Sequence, residues 1–254
     1  GGLYSVCCVY LSGSVIGLII NIFIFRSRFK WPSLSIDIAF IKSSLKESYP
    51  FMLLGFATII YMKVNIIMIS KLIDVAAVGT YNAAANLFYR ISFVSDAIST
   101  ATFPAVAQLF ILQRKEAIAV LNTSITYMLL LSVPITVGGT LLADSIISLI
   151  YGTDYFMAIP VFSILVCGIP MMFLATLFNY VLGAIGLQQY ALKVAIILVI
   201  FNVLLNSLLI PVYGILGAAM ATVLTQFVSL IFIGHKITKN FSINLSIRIY
   251  VGLI

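Results

Sequence analysis

Lys63 and Arg90 are each embedded in a long apolar run. Counted from Pro50 at the rise of an α-helix, Lys63 lies roughly 20 Å along its run, and Arg90 lies about as far along the next one counted from Ala77. An ionisable side chain at that depth in hydrocarbon is costly, so it usually faces a bundle interior or a water-filled cavity and marks a candidate functional site. Asn82, Asn86 and Arg90 follow one another at i, i+4 and i+8, which places them on one helical face. A cation flanked by amides has the chemistry to attract an anionic group and to hydrogen-bond hydroxyls. Asn202 and Asn206, one turn apart in a later run, are further candidates for such a lining. Asp96 is a candidate counter-ion for Arg90 or a protonatable coupling group, although a spacing of six residues does not put the two on one face. Structural roles compete with each of these: Lys63 can snorkel to the interface, and the Asn pairs can hydrogen-bond between helices.

The elements that position these residues follow from composition. Of 254 residues, 63% are hydrophobic and 8% charged, which makes the chain a polytopic membrane protein. The net charge of +7 does not imply nucleic acid, because the basic residues fall between apolar runs and never interleave with a solvated aromatic surface. Cys7, Cys8 and Cys167 lack metal-ligand spacing or a disulfide pattern, and nothing calls for a metal or cofactor. The chain starts GGLYSVCC and ends RIYVGLI at the beginning of another apolar run, which reads as a fragment.

Hydropathy gives an all-α bundle of seven spans, at about residues 3–25, 49–70, 77–110, 117–142, 158–185, 190–210 and 215–234. Residues 31–48 are amphipathic, with Leu34, Ile38, Ile41 and Leu45 opposite Asp37, Lys42, Lys46 and Glu47, and are expected to lie along the inner interface. Pro104 is expected to bend or end the third span, Pro134 with Gly138 and Gly139 to kink the fourth, and Pro211 to stop the sixth. The stretch ADSIISLIYGTDYFM reads as an external loop. Three units are expected: residues 1–48 as one helix plus a cytoplasmic linker, 49–240 as a six-helix lobe, and 241–254 as the start of a further segment.

Alternating spans must put alternate breaks on one side. With the first break inside, the inner segments hold Arg26, Arg28, Lys30, Lys42, Lys46, Arg114, Lys115, Lys236 and Lys239, while the outer ones hold Lys71 alone among the basic residues. That is the positive-inside asymmetry.

Four stretches carry a resemblance: LKESYPFMLLGF, VGTYNAAANLF, FPAVAQL and, above all, FNVLLNSLLIPVYGILGAAMATVLTQ. Together they resemble the polysaccharide-biosynthesis branch of the multidrug/oligosaccharidyl-lipid/polysaccharide exporter superfamily, the Wzx-type O-antigen flippases. The resemblance implies a lobe of six helices equivalent to the C-terminal half of a MATE-like fold, preceded by the last helix of the N-terminal lobe. It further implies translocation of an undecaprenyl-pyrophosphate-linked oligosaccharide across a bacterial plasma membrane by alternating access, without enzymatic chemistry. Expected partners are that substrate, membrane lipids and polysaccharide polymerase or assembly proteins. Lys63, Asn82, Asn86, Arg90, Asn202 and Asn206 become candidate substrate contacts and Asp96 a candidate ion-coupling group. Many such relatives carry an acidic residue near the middle of the second span, where this chain has Asn65. Competing readings are another exporter of the superfamily, for drugs, cations or lipid II, and a membrane glycosyltransferase or polymerase. The short, nearly uncharged outer breaks disfavour the enzyme.

Overall fold

The computed structural model describes residues 3–28 and 37–241. Lys30, Leu34 and the segment 242–254 lie outside the described residues. The chain divides into two compact units, Gly1–Glu47 and Ser48–Ile254. In the first unit, α1 (Leu3–Arg28) is an uninterrupted 26-residue helix that ends in its basic residues Arg26 and Arg28.

The remaining helices are α2 (Ile38–Leu72), α3 (Val75–Leu112), α4 (Arg114–Leu141), α5 (Ala143–Tyr151), α6 (Ala158–Val166), α7 (Ile169–Ala184), α8 (Gln188–Tyr213) and α9 (Ile215–Phe241). Among the described residues six helices are individually long and apolar enough to cross a membrane, and the bent pair α6–α7 passes the same test together, as a broken span or a re-entrant loop. The expected all-α, multi-pass architecture is therefore present.

Several boundaries differ from expectation for one physical reason. In hydrocarbon, giving up a helical backbone hydrogen bond costs more than accommodating an awkward residue. The amphipathic stretch from Ile38 is thus not a separate surface helix but the first turns of α2, which runs on through Pro50. α8 ends at Tyr213 rather than at Pro211, while α3 runs past Pro104 and α4 through Pro134, within the expected spans. The expected external loop is instead α5 followed by a single 3₁₀ turn, Thr153–Tyr155. Ala143 and Ile147, four residues apart, bury one face of α5 while Asp144 stays exposed and Ser148 is half-buried.

The fifth expected span is broken: α6 and α7 meet at 50°. The break is built into its neighbours. Thr136 of α4 donates to the Val166 carbonyl (3.4 Å), and Gly139 lies so close to Val166 that a Cβ there would sit 2.9 Å from Cγ1.

Small residues set the tightest packing. Ala83, Ala84 and Ala85 of α3 are buried, as are Gly217, Ala218, Ala219 and Ala221 of α9. The α8–α9 turn needs Gly214, at φ 59°, a conformation that costs any residue with a Cβ. Three residues on, a Cβ at Gly217 would fall on the Leu209 carbonyl, so α9 leaves the turn in backbone contact with α8. At the other end, Phe110 and Phe241 pack ring to ring at 5.2 Å and Arg114 donates to the Asn240 carbonyl, which ties the end of α9 to the α3–α4 turn.

Candidate functional site

α3 starts at Asp74, whose extended backbone lets its carboxylate accept from the Ala77 N–H at 2.6 Å. From that cap the helix turns Tyr81, Ala84, Phe88, Ser95 and Ser99 inward. Asn86 and Arg90 are consequently exposed on the opposite stripe, and Asn82 is half-buried at its edge. Lys63 is likewise exposed on α2. No hydrogen bond or ion pair joins these four to one another among the described residues, and none links Arg90 to Asp96. Asp96 is half-buried and accepts from the Ser92 hydroxyl at 3.4 Å.

Asn202 and Asn206 sit differently. Both are fully buried, and their amides form a network that joins α2, α3, α8 and α9. Asn206 Nδ2 donates to Asn65 Oδ1 at 2.7 Å and to the Asn202 side-chain and backbone oxygens at 2.9 Å. Asn65 Nδ2 donates to Tyr81 Oη and Thr222 Oγ1, each at 2.8 Å, and Asn202 Nδ2 donates to Thr225 Oγ1 at 3.1 Å. Thr222 and Thr225 each donate a hydrogen bond to a carbonyl one turn back in α9, Ala218 and Ala221 respectively. Asn206 Oδ1 is the one buried side-chain oxygen of the cluster left without a donor. Every member is neutral, and no charged residue is buried among the described residues.

The candidates thus separate into exposed residues, Lys63 on α2 and Asn86 and Arg90 on α3, and an internal amide cluster. Sequence reasoning did not find Tyr81, Thr222 or Thr225, and met Asn65 only as a missing acid. A signal existed in part: Thr222 and Thr225 share a face of α9, as Asn202 and Asn206 share one of α8.

Beside the amide cluster lies a cavity of ≈ 290 Å³ between α2, α7, α8 and α9. Its polar lining includes Thr58, Tyr61, Asn179, Thr225, Gln226 and Ser229, and none of its lining residues is charged. Among the described residues no group of three His, Cys, Asp or Glu side chains converges to hold a metal ion.

A family model described as polysaccharide biosynthesis protein matches residues 1–160. The chain belongs to that family. Two relatives come from Haloferax volcanii. The probable low-salt glycan biosynthesis flippase Agl15 is 27% identical over 72% of this chain and 39% of its own, and the probable flippase AglR is 26% identical over 65% and 36%. The chain thus spans well under half the length of the curated relatives it matches. Among solved structures, an outward-facing multidrug resistance MATE family transporter of the MOP superfamily superposes with a TM-score of 0.67 at 23% identity, over 79% of this chain and 46% of that one. A MOP superfamily transporter from Pyrococcus furiosus, described by the reversed polarity of its binding pocket, gives 0.69 at 23% identity over 78% and 44%. The polysaccharide biosynthesis chain therefore has the fold of one MOP-transporter half, as its sequence motifs implied.

Proposed function

We propose that this polysaccharide biosynthesis protein moves a polyprenyl-diphosphate-linked oligosaccharide across a membrane by alternating access, with no bond made or broken. The observation that carries the reading is the exposure of Lys63 on α2 and of Asn86 and Arg90 on α3. Neither cation has an ion-pair partner among the described residues, although each belongs to a helix long and apolar enough to cross a membrane. Cations at that depth need an anion or water. A diphosphate supplies the first, while Asn82 and Asn86 are placed to bond the sugar hydroxyls beside it. The same cations disfavour a cationic drug as cargo. The sequence resemblance favours undecaprenyl diphosphate in a bacterial plasma membrane, with a polymerase acting on the delivered unit. The Haloferax volcanii relatives support glycan flipping more generally.

Asn202 and Asn206 enter this proposal as supports of the lobe rather than as substrate contacts, because both are enclosed and bonded to protein. Asp96 is proposed as a half-buried acid able to change protonation during the cycle. The test is flipping of a fluorescent lipid-linked oligosaccharide in proteoliposomes by the full-length protein. Lys63→Gln combined with Arg90→Gln is expected to lower the rate at least tenfold. An unchanged rate in the folded double variant removes the anion-binding role.

A further inference from the structure

The half-open cavity lined by α2, α7, α8 and α9 is separate from the exposed cations, since neither Lys63 nor Arg90 lines it. We infer that it is a subsite for one uncharged sugar ring of the substrate, entered from the inner side of the membrane; this rests on the reading of the protein as a lipid-linked glycan transporter.

Its depth follows from which parts of the helices line it. Leu54, Ala57 and Thr58 belong to the half of the α2 span nearer Ser48, Ala191 and Val194 to the first turns of α8, and Ser229 and Ile233 to the second half of α9, while Tyr61 and Gln226 lie near the middle of their helices. The basic residues of those helix ends, Lys193, Lys236 and Lys239, mark this as the inner half by the charge asymmetry. On its outer side the cavity meets the amide cluster: Thr225 lines the cavity and also accepts from Asn202. Four helices pinned by the Asn65 and Asn206 amides thus close the space toward the outer leaflet.

The chemistry selects the occupant. At ≈ 290 Å³ the cavity falls at the small end of ligand sites, about 300 Å³ and upward, which suits a single ring. The absence of any charged lining residue argues against the diphosphate. A polyprenyl tail gains little by entering, because the acyl chains around the protein are equally apolar. Hydroxyl groups in hydrocarbon, by contrast, require partners, and the polar groups set in this mostly apolar wall are all hydroxyls and amides. One of these is already waiting. Tyr61 Oη is buried beside the Gln226 side chain and makes no hydrogen bond of ordinary geometry. A buried polar atom left in that state is costly, and a sugar hydroxyl would relieve it.

The experiment measures binding of two probes to the full-length protein in nanodiscs: a polyprenyl diphosphate bearing one hexose, and the same polyprenyl diphosphate without sugar. Tyr61→Phe combined with Gln226→Leu keeps the packing and removes the polar pair. It is expected to weaken the hexose-bearing probe about tenfold for each hydrogen bond lost, while the sugar-free probe is unaffected. Ala195→Phe, which fills the cavity without touching its polar groups, is expected to give the same selective loss. Equal weakening of both probes, or no weakening of either by folded variants, overturns the subsite. Lys63→Gln with Arg90→Gln serves as the independent arm. Loss of both probes there upholds the exposed cations whatever the cavity variants do; retention of both there removes the anion-binding role, and the selective effect of the cavity variants on the hexose-bearing probe still decides the subsite.

Discussion

Replacing Asn65 with leucine, a side chain of similar shape, removes three hydrogen bonds: those to Tyr81 and Thr222 and the one received from Asn206. The cost is smaller than three buried orphans would suggest, because the partners keep other bonds. Tyr81 Oη and Thr222 Oγ1 lie 3.4 Å apart and can pair, Thr222 still donates to the Ala218 carbonyl, and Asn206 retains Asn202. Interhelical hydrogen bonds inside membranes average about 0.6 kcal/mol, with a ceiling near 1.7, so the loss should be about 2 kcal/mol. It should fall on α2. In the Ser48–Ile254 unit that helix buries few side chains, namely Pro50, Ala57, Asn65 and Ile69, so the amide supplies much of what fixes it to α8 and α9. Reversible unfolding in mixed SDS and dodecylmaltoside measures the change, with Ile60→Ala on the exposed face of α2 as a control expected within about 0.5 kcal/mol. Asn206→Leu completes a double-mutant cycle. Direct contact at 2.7 Å predicts a coupling of roughly 0.5–1 kcal/mol. Additivity, or a loss at Asn65 no larger than at Ile60, would refute the idea that neutral amides hold this helix.

Other expectations are local. Gly217→Ala should abolish the folded yield or cost more than about 3 kcal/mol, because its Cβ meets backbone of α8, with Ile210 N only 2.9 Å away, rather than a side chain that can move. Gly214→Ala, where the space is open but φ is 59°, should cost about 1–2 kcal/mol in the same unfolding assay. Asp74→Ala should cost about 1 kcal/mol through loss of the α3 cap while Asp74→Asn stays near neutral, and hydrogen exchange at Ala77 would report the fraying. Thr136→Val should cost about 0.6 kcal/mol and raise exchange at the α6–α7 break, where its hydroxyl serves the Val166 carbonyl.

The span pattern and fold were legible in the sequence because hydropathy and loop charge are properties of single segments. What differs from expectation shares one cause. Pro211 carries the same local signal whether it stops a helix or rides inside one, and the deciding term is the surroundings, which one segment does not contain. ADSIISLIY was taken for a loop because its apolar face is only two turns long and reveals itself through the neighbours that bury Ile147. The exposed cations were readable because Lys63 and Arg90 advertise themselves by charge. The amide cluster was not, because Asn65, Tyr81, Asn206 and Thr222 are ordinary polar residues on four helices, and only the register between those helices makes them partners.

That cluster also bears on how the membrane potential acts on the protein. Carrying one elementary charge through 100 mV is worth about 2.3 kcal/mol, so a transporter whose buried groups are ionised feels voltage through its own frame. Here the enclosed polar groups are amides and hydroxyls, and their rearrangement displaces no fixed charge. In the proposed transport cycle the electrical work then falls on Lys63, Arg90, Asp96 and the anionic cargo, and gating currents should grow when the anionic lipid is present.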